Sequence, residues 1–148
     1  MNPSLSTEPA EPPSLWNPNA AANWSLLFSP AFGAFIHARN AKALGRLEEA
    51  AANRMWFYGI ITYLALSLFT ILFPSIPDAP FRLISLILLL TWYFSLGKKQ
   101  ARFVKATYGA GYTRKCWSRP LIIGFASLIG FLMVAFAFGI VAAVVHGG

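Results

Sequence analysis

The fold turns on residues 23–40, "NWSLLFSPAFGAFIHARN", which precede the first long apolar run. The stretch is apolar enough for lipid, yet it has a proline and a glycine near its middle. From Ala20 to Ala38 an unbroken helix would be about 28 Å long at 1.5 Å per residue, close to a hydrocarbon core of about 30 Å. Ser29 followed by Pro30 is a strong start for a new helix, so the spacing predicts a fresh segment from there to Gly45. Phe32, Phe35, Arg39, Lys42 and Arg46 share one side of that helix, rings first and cations later. A surface-lying helix would divide lengthwise; this one divides end to end, as a helix leaving lipid does. Residues 20–38 are therefore expected to enter a membrane, with Ser29, Pro30 and Gly33 marking the break. The absence of Lys and Arg before residue 39 favours a full crossing with the tail outside. Pro30 and Gly33 equally fit a re-entrant hairpin with the tail inside, provided neighbouring protein satisfies the broken backbone.

Three further runs are unbroken and less ambiguous. Residues 55–73 and 120–145 carry no charge over 19 and 26 residues, and about 20 suffice to cross as a helix. Residues 83–97 reach a spanning length when 79–82 are added, with Arg82 snorkelling. Of the 148 residues, 57% are hydrophobic and only 11% charged, against about 25% charged in a soluble domain. The expected fold is an all-α polytopic bundle of three full spans (55–73, 80–97 and 120–145) plus the broken first segment, four crossings in the working form. Tyr58, Tyr93, Trp56, Trp92 and Trp117 lie near span ends, where amphipathic rings favour the interface.

The net charge of +7 could imply nucleic acid, but its placement argues against that partner. Lys98, Lys99, Arg102, Lys105, Arg114, Lys115 and Arg119 lie in 98–119 between two spans, and Arg39, Lys42, Arg46 and Arg54 lie in the connector 39–54. The positive-inside rule puts both clusters in the cytoplasm and the C-terminus on the outer face. Anionic lipid is their expected contact, at about 1 kcal/mol per well-placed cation. Within 98–119, "YGAGY" supplies glycines for a tight reversal after a helical extension, and "WSRP" suits a helix start capped by Ser118. Residues 1–19 hold five prolines and two glutamates and are expected to form a disordered tail, with no charged n-region of a cleavable leader.

Chemistry is sparse. Glu8, Glu11, Glu48, Glu49 and Asp78 all fall outside the spans, where an acid would signal an ion path. His37 and His146 have no ligand spacing, and Cys116 stands alone, so neither a metal nor another cofactor is expected. Arg114, Lys115 and Arg119 around Cys116 are expected to lower its pKa. Span hydroxyls such as Ser67, Thr70, Ser85 and Ser95 are expected to bond back to their own helices. In the last span Ala126 with Gly130, and Ala135, Gly139 and Ala143, repeat small residues at four-residue spacing, a seam for close helix approach. Its partner is another helix of this chain, a second copy, or a foreign membrane protein.

The run "WSLLFSPAFGAFIHARNAKALG" followed by "ANRMWFYG" resembles a signature of small bacterial inner-membrane proteins, W-S-x-x-F-S-P-x-F-G-A leading to N-x-x-x-L-G. The match covers roughly residues 24–59 and departs at Ala41, where an aromatic is usual. The size, span count and basic loops are also similar to immunity proteins against pore-forming toxins. That likeness implies a non-enzymatic protein acting by helix contact in the bilayer, with a toxin as partner. A small transporter or channel component, with the broken segment lining the path, is the alternative.

Overall fold

A computed structural model describes residues 12–147. The architecture is all-α apart from one short parallel bridge. In chain order it comprises β1 (Ser14–Leu15), α1 (Pro18–Phe28), α2 (Pro30–Ala43), α3 (Leu47–Phe69, prolonged by a 3-10 turn Thr70–Leu72), α4 (Ala79–Trp92), α5 (Lys98–Tyr108), β2 (Thr113–Arg114) and α6 (Ser118–His146). A π-helical turn, Tyr93–Gly97, joins α4 to α5 without a break. Three continuous helices, Leu47–Leu72, Ala79–Tyr108 and Ser118–His146, are long and apolar enough to cross a membrane.

The first segment does not run end to end. Asn17 caps α1 by accepting from the Asn19 and Ala20 N–H groups, and α1 stops at Ser29. Pro30 then opens α2, where its missing N–H costs nothing. Across the break Ser25 faces Gly33, His37 reaches Pro18 and Asn40 reaches Trp16. Those pairings are antiparallel, so α1 and α2 form a hairpin with its tip at Ser29. At 1.5 Å per residue, α1 is about 16 Å long and α2 about 21 Å, roughly half a hydrocarbon core or somewhat more. α1 and α2 fold back on each other at Ser29 rather than continuing across as the broken span of the working form, which is the geometry of the re-entrant alternative.

The hairpin tip lies among the long helices. The Phe28 ring packs edge-on against Phe125 of α6 at 4.9 Å, and a Cβ added to Gly124 would press on that ring. At the opposite end of α6, His146 Nε2 donates to the Leu72 carbonyl at 3.1 Å and Phe138 meets Phe69. The C-terminal ends of α3 and α6 therefore lie together, and the two helices run parallel.

Both ends of the hairpin sit beside the basic loops. Ser14 and Leu15 pair with Thr113 and Arg114, and the Trp16 indole donates to the Cys116 carbonyl at 3.0 Å. Leu15, Val104 and Tyr112 form a small buried core there, flanked by Leu44, Phe103 and Tyr108. Residues 12–19, expected to be part of a free tail, are thus docked, and α1 already begins at Pro18. The expectation for residues 1–11 lies outside the described residues.

Element ends follow the sequence with two exceptions. α2 ends at Ala43, just before Gly45 at φ 70°, and α5 ends before Gly109 at φ 56°, as the glycine reversals predict. However, α3 begins at Leu47 rather than 55, absorbing much of the connector. Ser118 does not cap α6; Trp117 holds the cap position without a side-chain bond.

Candidate functional site

The buried polar side chains gather at the seat of the hairpin. Its chemistry is polar: Ser25, His37, Asn40, Asn53 and Gln100 are all buried, with Trp92 among them at 0% exposure. The buried donors named here find acceptors, as burial demands, while His37 Nδ1 and Gln100 Oε1 are buried without a partner. Asn40 accepts from the Trp16 N–H at 3.0 Å and donates to the Trp16 carbonyl at 2.7 Å. One carboxamide thus imitates a neighbouring strand and fixes residue 16. His37 Nε2 donates to the Pro18 carbonyl at 3.1 Å, tying α2 to the first turn of α1. From α5, Gln100 donates to the His37 carbonyl at 2.9 Å.

Trp92 is the keystone from the second long helix. Its indole N–H donates to Asn53 Oδ1 at 3.1 Å, while Asn53 Nδ2 donates to the Glu49 carbonyl at 2.9 Å. The ring meets His37 edge-on, centroids 5.2 Å apart. Gly33 permits this arrangement, since a Cβ there would overlap both Ser25 Oγ and the Trp92 ring. Trp92 was expected at the interface; instead it is sealed inside, because Gly33 leaves room for it. Neither Asn53 nor Gln100 carried a local signal for such a role, as both read as ordinary polar residues near helix ends.

The break itself is strained. Ser29 has φ 128° and ψ 161°, a region almost reserved for glycine and worth about 1–3 kcal/mol in other residues. It is the single non-glycine residue with positive φ among the described residues.

The seam residues lie elsewhere. The inward side of α6 is Gly124, Leu128, Phe131, Ala135, Phe138 and Ala142, all buried or half-buried. Ala126, Gly130 and Ala143 point outward and Gly139 is half-exposed. A Cβ at Gly130 or at Gly139 would meet nothing within 4 Å. Of the five expected seam residues, Ala135 and Gly139 are half-buried and the other three exposed, so no other helix of this chain closes the seam along its length.

The cations divide into two groups. Arg46 pairs with Glu49 and stacks on Phe103 at 4.1 Å; Lys98 covers Phe94, Lys115 covers Trp16 at 4.5 Å, and Arg114 approaches Tyr112. These bind the cationic end together. Lys99, Arg102, Lys105 and Arg119 are exposed on the same end. Arg39, Lys42 and Arg54 instead flank a groove between α2 and α3.

Beside them, the Cys116 thiol is pulled below its usual range by the Ser118 hydroxyl and backbone N–H, with Sγ 3.3 Å from Ser118 Oγ. The direction is as expected, but the cause is this hydrogen bonding rather than the neighbouring cations. Among the described residues no three His, Cys, Asp or Glu side chains converge to hold a metal.

Four of the seven span Ser and Thr hydroxyls, Ser67, Thr70, Ser85 and Ser95, are occupied locally, and Thr62, Thr91 and Ser127 make no such bond. Ser67 donates to the Leu64 carbonyl, Thr70 to Ser67, Ser85 to Phe81 and Ser95 to Thr91. At the hairpin, Ser25 donates to Ala21. All are the back-bonds the sequence predicts.

These features define an all-α protein with three helices fit to cross a membrane and a polar-clamped helical hairpin set between them. No family model, curated protein or solved structure matches the chain.

Proposed function

We infer that this is a non-enzymatic bacterial inner-membrane protein that acts by presenting the outward face of α6 to another helix in the bilayer. Its most concrete form is an immunity protein that intercepts a pore-forming toxin before the pore assembles. The observation that carries the reading is the open notch on α6, where nothing lies within 4 Å of a Cβ at Gly130. One turn along, Met133 and Val134 flank it on either side at 68% and 42% exposure. Lipid tails are as apolar as side chains, so association in a bilayer depends on close backbone approach. A helix with a glycine notch between large apolar side chains offers that approach.

The cationic end belongs at the cytoplasmic face by the positive-inside rule. The docking of Trp16 onto Cys116 then puts the start of α1 on that same side. The resulting topology is three crossings plus a re-entrant hairpin, with the C-terminus periplasmic.

The alternative, a transporter component, has one observation in its favour. A cavity of about 270 Å³ at the hairpin tip is lined in part by Ser25, Ser29, Tyr63 and Ser85. Against it, Ser25, Tyr63 and Ser85 already donate to carbonyls of Ala21 and Phe81, and no Asp, Glu, His, Lys or Arg lines the cavity. Coordination of a solute needs free polar groups there.

A photo-crosslinking residue at Met133, in cells carrying the neighbouring toxin gene, should capture the toxin, and Gly130→Leu should abolish both capture and protection. Full protection by Gly130→Leu, or solute flux through liposomes holding the purified protein alone, would replace this reading with the alternative.

A further inference from the structure

The groove between α2 and α3 combines features that the rest of the surface keeps apart. It measures about 390 Å³, with Arg39, Lys42 and Arg54 among its lining and Phe35, Phe57 and Tyr58 beside them. No acid lines it. The ion pairs among the described residues are Arg46–Glu49 and Arg82–Asp78, so these three cations face the groove without a carboxylate partner.

The groove continues downward. Phe35 and Phe57 also wall a crevice of about 190 Å³ that passes Ile61 and reaches Ile123 and Ser127 of α6. Ile61 and Ser127 in turn belong to a third space of about 320 Å³ that ends near Leu68 and Phe131. These three spaces follow one another along α3 and share lining residues, with the Phe35–Phe57 ring pair between the first two; taken together as a cleft, they are cationic at the mouth and apolar below. From Arg54 to Leu68 it follows α3 for about 21 Å at 1.5 Å per residue. One leaflet with its headgroup region is about half of 40–45 Å.

We propose that this cleft binds one anionic phospholipid, with the phosphate among Arg39, Lys42 and Arg54 and one acyl chain between α3 and α6. The match is one of charge and of depth. Arginine's planar fork suits phosphate oxygens, and three unpaired cations at the rim supply more charge than one phosphate needs. The apolar continuation begins directly below them, where a lipid's chains begin. A diffuse attraction of anionic lipid to a basic loop needs no such cleft; a seated lipid does. The cleft also separates α3 from α6, so the lipid would fill space that the side chains leave open. The proposal needs only that the apolar helices cross a bilayer, and stands apart from the role of Gly130.

The test uses the full chain extracted in mild detergent, with phosphatidylglycerol or phosphatidylcholine added and bound lipid read by native mass spectrometry. One phosphatidylglycerol per chain should be retained, and phosphatidylcholine at least tenfold less. Arg39→Ala with Arg54→Ala should lower phosphatidylglycerol retention about tenfold. Lys99→Ala with Lys105→Ala removes equal charge from α5 and should leave retention unchanged. Arg39→Lys with Arg54→Lys, which keeps the charge, should restore most of it and controls for folding. Ser127→Trp, which fills the crevice, should reduce retention without touching a cation. Equal retention of both lipids, or equal losses from the two alanine pairs, would overturn the proposal in favour of non-specific charge attraction. Full retention by Ser127→Trp would overturn the acyl limb.

Discussion

The indole N–H of Trp92 donates to the Asn53 carboxamide oxygen at 3.1 Å, joining two long helices 39 residues apart in sequence. Both side chains are closed to solvent, so the bond has no water to replace it. Asn53→Ala leaves the indole N–H buried and unpaired, and should destabilise the protein by about 1–3 kcal/mol. Trp92→Phe removes the donor and should leave less for a second substitution at 53 to lose. Thermal unfolding in detergent of the two single variants and the double variant should therefore show non-additivity. Simple addition of the two losses would mean that the bond contributes nothing.

Ser29 and Gly33 make opposite predictions four residues apart. Ser29 bears a glycine-like backbone at φ 128°, so Ser29→Gly should raise the melting temperature, by about 1 kcal/mol after the greater chain entropy of glycine is subtracted. Gly33→Ala places a methyl group against Ser25 Oγ and the Trp92 ring. It should destabilise the hairpin and increase the solvent exposure of Trp92, read as a red shift of its emission in a variant where the other tryptophans are replaced by Phe.

The sense of the hairpin can be read from outside the cell. In a Cys116→Ser background, Asn19→Cys introduces an exposed thiol at the start of α1. Because the hairpin returns both its ends to the basic loops, that thiol should resist membrane-impermeant maleimide in intact cells and react after lysis. A thiol placed by Ser75→Cys in the turn between α3 and α4 should react at once. Prompt labelling at residue 19 would restore the four-crossing arrangement.

Cys116 supplies a pH-dependent observable. Hydrogen bonding from Ser118 favours the thiolate and lowers the pKa, so more thiolate is present at any pH below the ordinary cysteine range. The rate of alkylation, plotted against pH, should have a midpoint below that of free cysteine. Ser118→Ala should move it upward, whereas Arg114→Ala should move it little. A large shift from Arg114→Ala alone would return the cause to the cations.

The long helices, the glycine reversals at 45 and 109 and the break at Ser29–Pro30 were legible in the sequence because each depends on local composition. The direction taken after the break was not. Pro30 announces a new helix but not its angle, and the antiparallel return depends on Asn40 meeting Trp16 and His37 meeting Pro18. Trp92 was read as an interfacial ring because it lies near a span end. Only the gap left by Gly33, on another helix, makes it a core residue. The same reason hid Asn53 and Gln100, whose partners lie 39 and 63 residues away. The α6 seam was legible as a pattern, while its outward direction depended on which other face of that helix met Phe28 and Phe69.

The bridge between Ser14–Leu15 and Thr113–Arg114 imposes an order on assembly. Roughly a hundred residues of chain must leave the ribosome before the first strand finds its mate, and Trp92 and Gln100 appear only shortly before that. The hairpin, though made first, is seated late. During synthesis its half-length helices must wait at the membrane surface or in the insertion machinery until the second long helix arrives to receive them. Closure at the cationic end is then the step that finishes the fold, and a truncation before residue 113 would leave the molecule's beginning undocked.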